Sequence, residues 1–482
     1  FILLFLFYHI YILISTDFRK IHTIFFFHIY RLEYYQSCPN INVQTIFTGR
    51  AEIMKRLLIV VIIMACFMSV SCGKQENTET LNGDTDISLN EQTLYQLGVA
   101  EPTEQTATEA ENADDENYIP INYEKQAGMW FTYMEYRDML YNKTESEFTE
   151  SIKNRLAQAA ETGINTVYVH VRAYNDCCYE SDIFPCAEYY NGNYDALEIT
   201  LNEAHKLGLS VHAWLNPLRC QTDEQMKTLD TNFQIKKWYN DSKKNGTYIV
   251  KLEDRWYLNP AYNEVREYIA SGAAEIVRNY DVDGIHIDDY FYPTSETEFD
   301  ADAFSESGSN DLEKWRIENI NTMVSSIYQA VKKENKEALF GISPQGNIDS
   351  NYSGQYADVK TWASESGYCD YIVPQIYYGF KNESCPFEET VKKWKDINTC
   401  DDVSLIIGLG AYKVGNEDKW AGSGKNEWIE DSGIISRQAE YSAKNNLGIA
   451  IYSYDSAFSE KLAGELLYIA EIIKKYYGGE QP

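Results

Sequence analysis

From residue 125 to the C-terminus, short apolar runs of strand character alternate with longer stretches of helical periodicity, and the alternation recurs eight times. The runs fall at 129–134, 166–171, 210–215, 284–288, 339–343, 371–376, 404–408 and 448–453. Helical patterns occupy 145–161, 195–206, 263–280, 311–336, 432–444 and 461–477. Eight such repeats in about 350 residues match a (β/α)8 TIM barrel in number and size, with a doubly wound sheet as the alternative. The strand faces favour the barrel. Val167, Val169 and Val171 oppose Tyr168, His170 and Arg172; Val211, Ala213 and Leu215 oppose His212, Trp214 and Asn216; Ile372 and Ile376 oppose Tyr371, Gln375 and Tyr377. A strand covered by helices on both faces is almost uniformly apolar, whereas here one face becomes polar toward the strand's end, as a lumen opening into a site requires.

In a barrel of this kind the C-terminal strand ends converge on the active-site mouth. They bring together Glu135, Arg172, Asn216, Asp288, Asp289, Gln345, Gln375, Tyr377, Tyr454 and Asp455, with Trp214, His286, Tyr290 and Tyr292 beside them. Carboxylates serve acid/base work, amides read hydroxyls, and aromatics stack on sugar faces. The segment Asp-Gly-Ile-His-Ile-Asp-Asp-Tyr-Phe-Tyr-Pro at 283–293 concentrates this chemistry. Ile285 and Ile287 share one face; His286 and Asp288 share the other. Glycoside cleavage needs one group to protonate the leaving oxygen and another to stabilise or attack the anomeric carbon. Adjacent carboxylates push their pKa values apart and leave one protonated. Both Asp288 and Asp289 reach a substrate only if the chain bends at Asp289.

Several segments resemble the glycosyl-hydrolase-like family 10 proteins: Trp-Tyr-Leu-Asn-Pro at 256–260, His-Ala-Trp-Leu-Asn-Pro at 212–217, Phe-Gly-Ile-Ser-Pro at 340–344, Asp-Tyr-Ile-Val-Pro-Gln-Ile-Tyr at 370–377, and 283–293 itself. The resemblance spans about 128–458. It implies a (β/α)8 barrel, export, frequent lipid anchoring, and action on bacterial cell-wall glycans, including peptidoglycan strands stripped of peptides. The fourth-strand segment also resembles family 18 glycoside hydrolases, which carry Asp-Gly-Ile-Asp-Ile-Asp-x-Glu there, and family 84 enzymes with neighbouring Asp residues. That likeness implies a substrate whose own 2-acetamido group is the nucleophile, oriented by Asp288, with Asp289 as acid/base. His286 and Tyr290 depart from the family 18 pattern. The ordinary retaining alternative makes Asp288 the nucleophile and takes the acid from Glu135 or Asp455.

Two other classes compete. His170, His212 and His286 beside Asp288 suggest a metal-dependent deacetylase or amidohydrolase, but they sit at different depths and form no His-x-His pair. Histidines hydrogen-bonded within a barrel layer are the preferred account, with no metal and no cofactor. A non-catalytic glycan-binding barrel would use the same aromatics without needing paired Asp residues.

A net charge of −31 excludes a nucleic-acid partner that needs a basic surface. Residues 1–53 are expected to be upstream sequence translated in error, because Met54 opens a signal peptide of Lys55-Arg56, an apolar run and Ser-Val-Ser-Cys72. The lipobox-like end, 54–72, predicts lipidation at Cys72 and a membrane anchor outside the cytoplasm. Residues 73–120, polar and acidic, are expected to be a disordered tether, and 121–478 the barrel. Seven cysteines follow the tether, with Cys178–Cys186 or Cys385–Cys400 as candidate pairs.

Overall fold

The computed structural model describes residues 118–478. The upstream segment, the signal peptide, Cys72 and all but the last three residues of the tether lie outside the described residues. The strands in chain order are β1 (Ala127–Phe131), β2 (Thr166–Arg172), β3 (Ser210–Leu215), β4 (Arg219–Thr222), β5 (Ile249–Leu252), β6 (Arg255–Leu258), β7 (Gly284–Ile287), β8 (Leu339–Ile342), β9 (Tyr371–Ile372), β10 (Ser404–Gly410) and β11 (Gly448–Tyr452). Eight of them close a parallel barrel in the order β1-β2-β3-β7-β8-β9-β10-β11 and back to β1. Closure is seen in the register, with Met129 opposite both Val167 and Ile451. The chain therefore folds as a (β/α)8 barrel, each strand followed by helix. An antiparallel sheet β4-β6-β5 is inserted after β3, a feature the strand periodicity did not anticipate.

Alternation divides the apolar residues between two cores. Val167, Val169, Val211, Ala213, Ile285 and Ile287 face outward under helices such as Asn263–Asn279 and Leu312–Glu334. Trp130, Tyr168, Trp214, Tyr371, Val373, Ile406 and Ala450 fill the lumen. A buried aromatic removes about 150–250 Å² from water, roughly 4–6 kcal/mol per ring at ~25 cal/mol per Å² before entropy is set against it. Lumen glycines make room for those rings. A Cβ on Gly128 would meet the Tyr168 ring at 2.6 Å, and one on Gly341 would overlap Tyr371.

The N-terminal rim of the barrel is sewn by side chains. Asn165, Asp283 and Asp370 precede β2, β7 and β9, and each accepts a backbone N–H from the barrel strand that its own strand pairs with on one side, β1, β3 and β8 respectively. The donors are Ala127 at 2.8 Å, Val211 at 2.6 Å and Phe340 at 2.6 Å. Asp283 also accepts from the Tyr118 hydroxyl at 2.7 Å and the Ile121 N–H at 2.5 Å. Residues 118–120, expected to close the tether, thus belong to the barrel floor.

Two strand expectations are corrected. The first strand stops at Phe131, because Thr132 and Glu135 form a capping box that starts the helix Tyr133–Leu140. In β2 the register with β3 slips between His170 and Arg172. A bulge of this kind reverses the alternation, so Arg172 turns from the lumen to the helical layer, its guanidinium 4.1 Å from the Phe184 ring centre and against Gly272. Arg172 is not a mouth residue.

Candidate active site

At the C-terminal end of the barrel lies a cleft of about 750 Å³. Of the expected residues it is lined by Glu135, Trp214, Asp288, Asp289, Tyr290, Gln375, Tyr377 and Asp455. β7 carries the centre. Gly284 and His286 face the lumen, and Asp288 continues that face one residue past the strand, 3% exposed. The chain bends at Asp289, so the next carboxyl also lines the cleft instead of turning into the helices. The bend is held by the Tyr290 N–H, which donates to Asp288 Oδ1 at 3.3 Å. With the Asn216 amide nitrogen facing Asp288, the orientation its acceptor neighbours demand, it donates to both carboxyl oxygens at 2.9 Å. Asp289 is anchored differently: Gln375 Nε2 donates to its Oδ1 and to the Ser343 carbonyl, both at 3.1 Å.

Burial and then the neighbouring Asp289 charge raise the Asp288 carboxyl well above the usual carboxylate range, opposed by the Tyr290 N–H, the Arg219 charge and Trp214. Asp289 is raised by burial and drawn back by amides of Gln375, Gln355 and Gln345. Burial disfavours the anion at both neighbouring carboxyls, and the charge on one adds to the cost of ionising the other.

Glu135 borders the cleft but its oxygens are taken. Oε2 accepts the Thr132 N–H at 2.6 Å; Oε1 accepts the Ser453 hydroxyl at 2.6 Å and the Asp455 N–H at 2.7 Å. Burial raises its pKa and these donors oppose the rise. It caps a helix and ties the ends of β1 and β11 together. The Asp455 carboxylate turns to Arg155 at 2.6 Å. Neither is placed as a free acid.

Several expected contact residues stand behind the cleft wall. His286 is fully buried beneath it, with Nε2 accepting from the Trp130 indole at 3.1 Å and Nδ1 against the Tyr371 hydroxyl at 3.1 Å. His212 meets the same hydroxyl at 2.6 Å. These histidines belong to a hydrogen-bonded lumen layer. Burial lowers both pKa values, that of His212 to about 4. His170, by contrast, lines the cleft, stacked on Trp214 with ring centres 3.8 Å apart, and burial and the Arg219 charge lower its pKa. Among the described residues no three His, Cys, Asp or Glu side chains gather as a metal site. Asn216 touches Asp288 and does not line the cleft. Tyr292 is buried against Phe299 and Tyr356, beside the buried Arg316–Asp300 ion pair. Tyr454 begins the short helix Tyr454–Ala457, where its ring packs on Phe131 and Phe458 and its hydroxyl donates to Gln158. Chain geometry puts all three off the mouth. All seven cysteines among the described residues are free, so neither proposed disulfide forms.

The cleft also contains residues that the strand-end reading passed over: Trp130, Tyr133, Tyr174, Arg219, Tyr412 and Tyr452. Tyr452 was legible, since it alternates with Ala450 on the lumen face of β11. Trp130, on the lumen face of β1, was legible in the same way. Tyr133 opens the helix after β1, and Tyr174, Arg219 and Tyr412 lie on a loop, on the inserted sheet and in a short 3-10 turn, where no period marks them.

The family described as Glycosyl hydrolase-like 10 matches residues 125–422. A protein of Escherichia coli K12 named glycosyl hydrolase DigH is 30% identical over 311 residues, covering 59% of this chain and 70% of that protein. Glycosyl hydrolase YngK of Bacillus subtilis is 30% identical over 312 residues, covering 59% and 60%. Among solved structures, the PgaB (BpsB) glycoside hydrolase domain of Bordetella bronchiseptica aligns with a TM-score of 0.47 at 11% identity, over 71% of this chain and 99% of that domain.

Proposed function

The chain belongs to the glycosyl hydrolase-like 10 family, and on that footing we propose that it hydrolyses glycosidic bonds in an extracellular bacterial polysaccharide built with N-acetylhexosamine, such as peptide-free peptidoglycan strands. One observation carries the proposal: two adjacent carboxyls, both raised by burial, at the floor of a cleft walled by Trp130, Trp214, Tyr290, Tyr377 and Tyr452. Aromatic walls take the faces of sugar rings, and the carboxyls divide the chemistry.

In this reading the proton that burial and the Asp289 charge favour on Asp288 passes to Asp289, nearer the opening, as Asp288 turns to the acetamide N–H, and Asp289 gives it to the leaving glycosidic oxygen. As the C–O bond breaks, the carbonyl oxygen of the sugar's own 2-acetamido group bonds to the anomeric carbon. Asp288, immobilised by Asn216 and Tyr290, accepts the acetamide N–H and steadies the positive charge. Asp289, now ionised, takes a proton from water as the oxygen of that water attacks the anomeric carbon, which reopens the acetamide and restores the acid. Preorganised charge of this kind in a dry site is worth more than in water.

The test is digestion of purified peptidoglycan, with and without stem peptides, followed by mass analysis of the products. Turnover of peptide-free strands by the wild type, lost in Asp288→Asn and in Asp289→Asn, supports the reading. Binding without turnover in all three would make the protein a glycan-binding barrel. The same reading sets the protein outside the cytoplasm, anchored through Cys72; loss of lipid labelling in Cys72→Ser tests that separately.

A further inference from the structure

Five carboxylates border the cleft, Glu135, Asp138, Asp288, Asp289 and Asp455, against a single permanent cation, Arg219. In a chain with a net charge of −31, a guanidinium with no acidic partner is out of keeping with its surroundings. Arg219 forms no ion pair and no side-chain hydrogen bond among the described residues. Instead it is held by rings: its guanidinium carbon lies 4.1 Å from the ring centre of Tyr290 and 4.7 Å from that of Tyr174. Arg255 lies over the same Tyr174 at 4.0 Å, and it donates to the Cys220 carbonyl at 2.6 Å, so the neighbouring cation is committed to the backbone. Stacking fixes the plane of a guanidinium and leaves its N–H fork free at the edge.

The inserted sheet explains how this residue arrives there. Arg219 opens β4, paired with Tyr257 of β6, directly after the loop that carries Asn216. The insertion thereby carries a cation over the mouth beside the carboxyl pair. Its charge bears on both Asp288 and His170.

We propose that Arg219 receives a carboxylate on the bound glycan, so that the preferred substrate carries an acidic sugar next to the bond that is cut. A planar guanidinium takes a carboxylate through two parallel N–H···O bonds, a geometry that a neutral or amide-capped group cannot repeat. A free lactyl-ether carboxylate, which a stem peptide would convert to an amide, has this chemistry, and so does a uronate. This inference rests on the glycan-hydrolase reading and names what the cleft selects.

Binding, read on the Asp288→Asn background, separates it from that reading. Calorimetry compares peptide-free strands bearing free carboxylates with the same strands amidated at the carboxyl, and a uronate glycan with its amide. The free acid is expected to bind about 10- to 100-fold more tightly, the range for a hydrogen-bonded charged pair. Arg219→Gln brings the ratio toward one, and Arg219→Lys, a point charge without the fork, leaves an intermediate ratio. A ratio within one variant is independent of its folded fraction. Whichever carboxylate type shows the larger Arg219-dependent ratio is the one the site is built for. Equal binding of acid and amide by the parent, or a preference that survives Arg219→Gln, overturns the assignment even if the wild type hydrolyses both glycans. A preference that depends on Arg219, in a protein that cleaves neither glycan, keeps the assignment and overturns the hydrolase reading.

Discussion

Asp283 and Asp288 bracket the same strand, β7, and both are buried carboxylates, yet they do opposite things. Asp283, at the N-terminal rim, accepts from Val211, Ile121 and Tyr118 and contacts His205 at 3.0 Å; every donor belongs to an element that it ties into the barrel floor. Asp288, at the mouth, shares its space with a second acid and opens on the cleft. Burial alone therefore does not mark a reactive acid. What marks it is burial with a like charge beside it and access to a ligand.

The largest effect that sharpens this contrast is on turnover. Asp288→Asn is expected to lower kcat by about 10²–10³-fold, the usual contribution of a preorganised group that stabilises charge in the transition state. Asp283→Asn leaves turnover per folded molecule near wild type but lowers stability by about 2–4 kcal/mol, since it puts an N–H₂ against buried donors. Steady-state kinetics and thermal melts on the two variants check this; equal losses of Tm would break the comparison. The sign with pH is also set. The Asp288 carboxyl is raised in the folded state, so the native chain binds more protons above the unfolded value of about 3.9. Wild-type stability therefore falls relative to Asp288→Asn as pH climbs from there toward the raised folded pKa. Melting curves at acidic and neutral pH read that difference.

Next in size is Asn216→Ala. It deletes two donors to Asp288, and a loss of about 10- to 100-fold in kcat is expected from charged hydrogen bonds of this kind. Smaller is Gln375→Ala. Removing a donor from Asp289 favours its neutral form, so the alkaline limb of the kcat/KM profile moves to higher pH. Smallest is Tyr454→Phe, a residue off the cleft, expected to change kcat/KM by no more than about twofold.

Much of this site was legible without coordinates. Strand period and strand count placed Trp214, Asp288, Gln375 and Tyr377 at the mouth, because alternation is a local property that survives folding. Arg172 was misread for the same reason: one slipped residue in β2 inverts every later position, and nothing in Thr-Val-Tyr-Val-His-Val-Arg announces the slip. Glu135 was read as a candidate acid although Thr132-x-x-Glu135 is a capping signature that the sequence displays openly. Tyr292 and Tyr454 were misplaced because their aromatic character says nothing about whether the following loop turns them toward sugar or toward Arg316 and Gln158.

By itself the sequence determined the eightfold alternation, the polar lumen face and the adjacent acids at 288 and 289, all consequences of neighbours in the chain. Only the tertiary structure decided which buried acid is satisfied and which is not, because hydrogen-bond donors come from distant segments: Tyr118 and Val211 for Asp283, Asn216 for Asp288, Ser453 for Glu135. It likewise brought Arg219 over Tyr290, across 71 residues of chain that no local pattern connects.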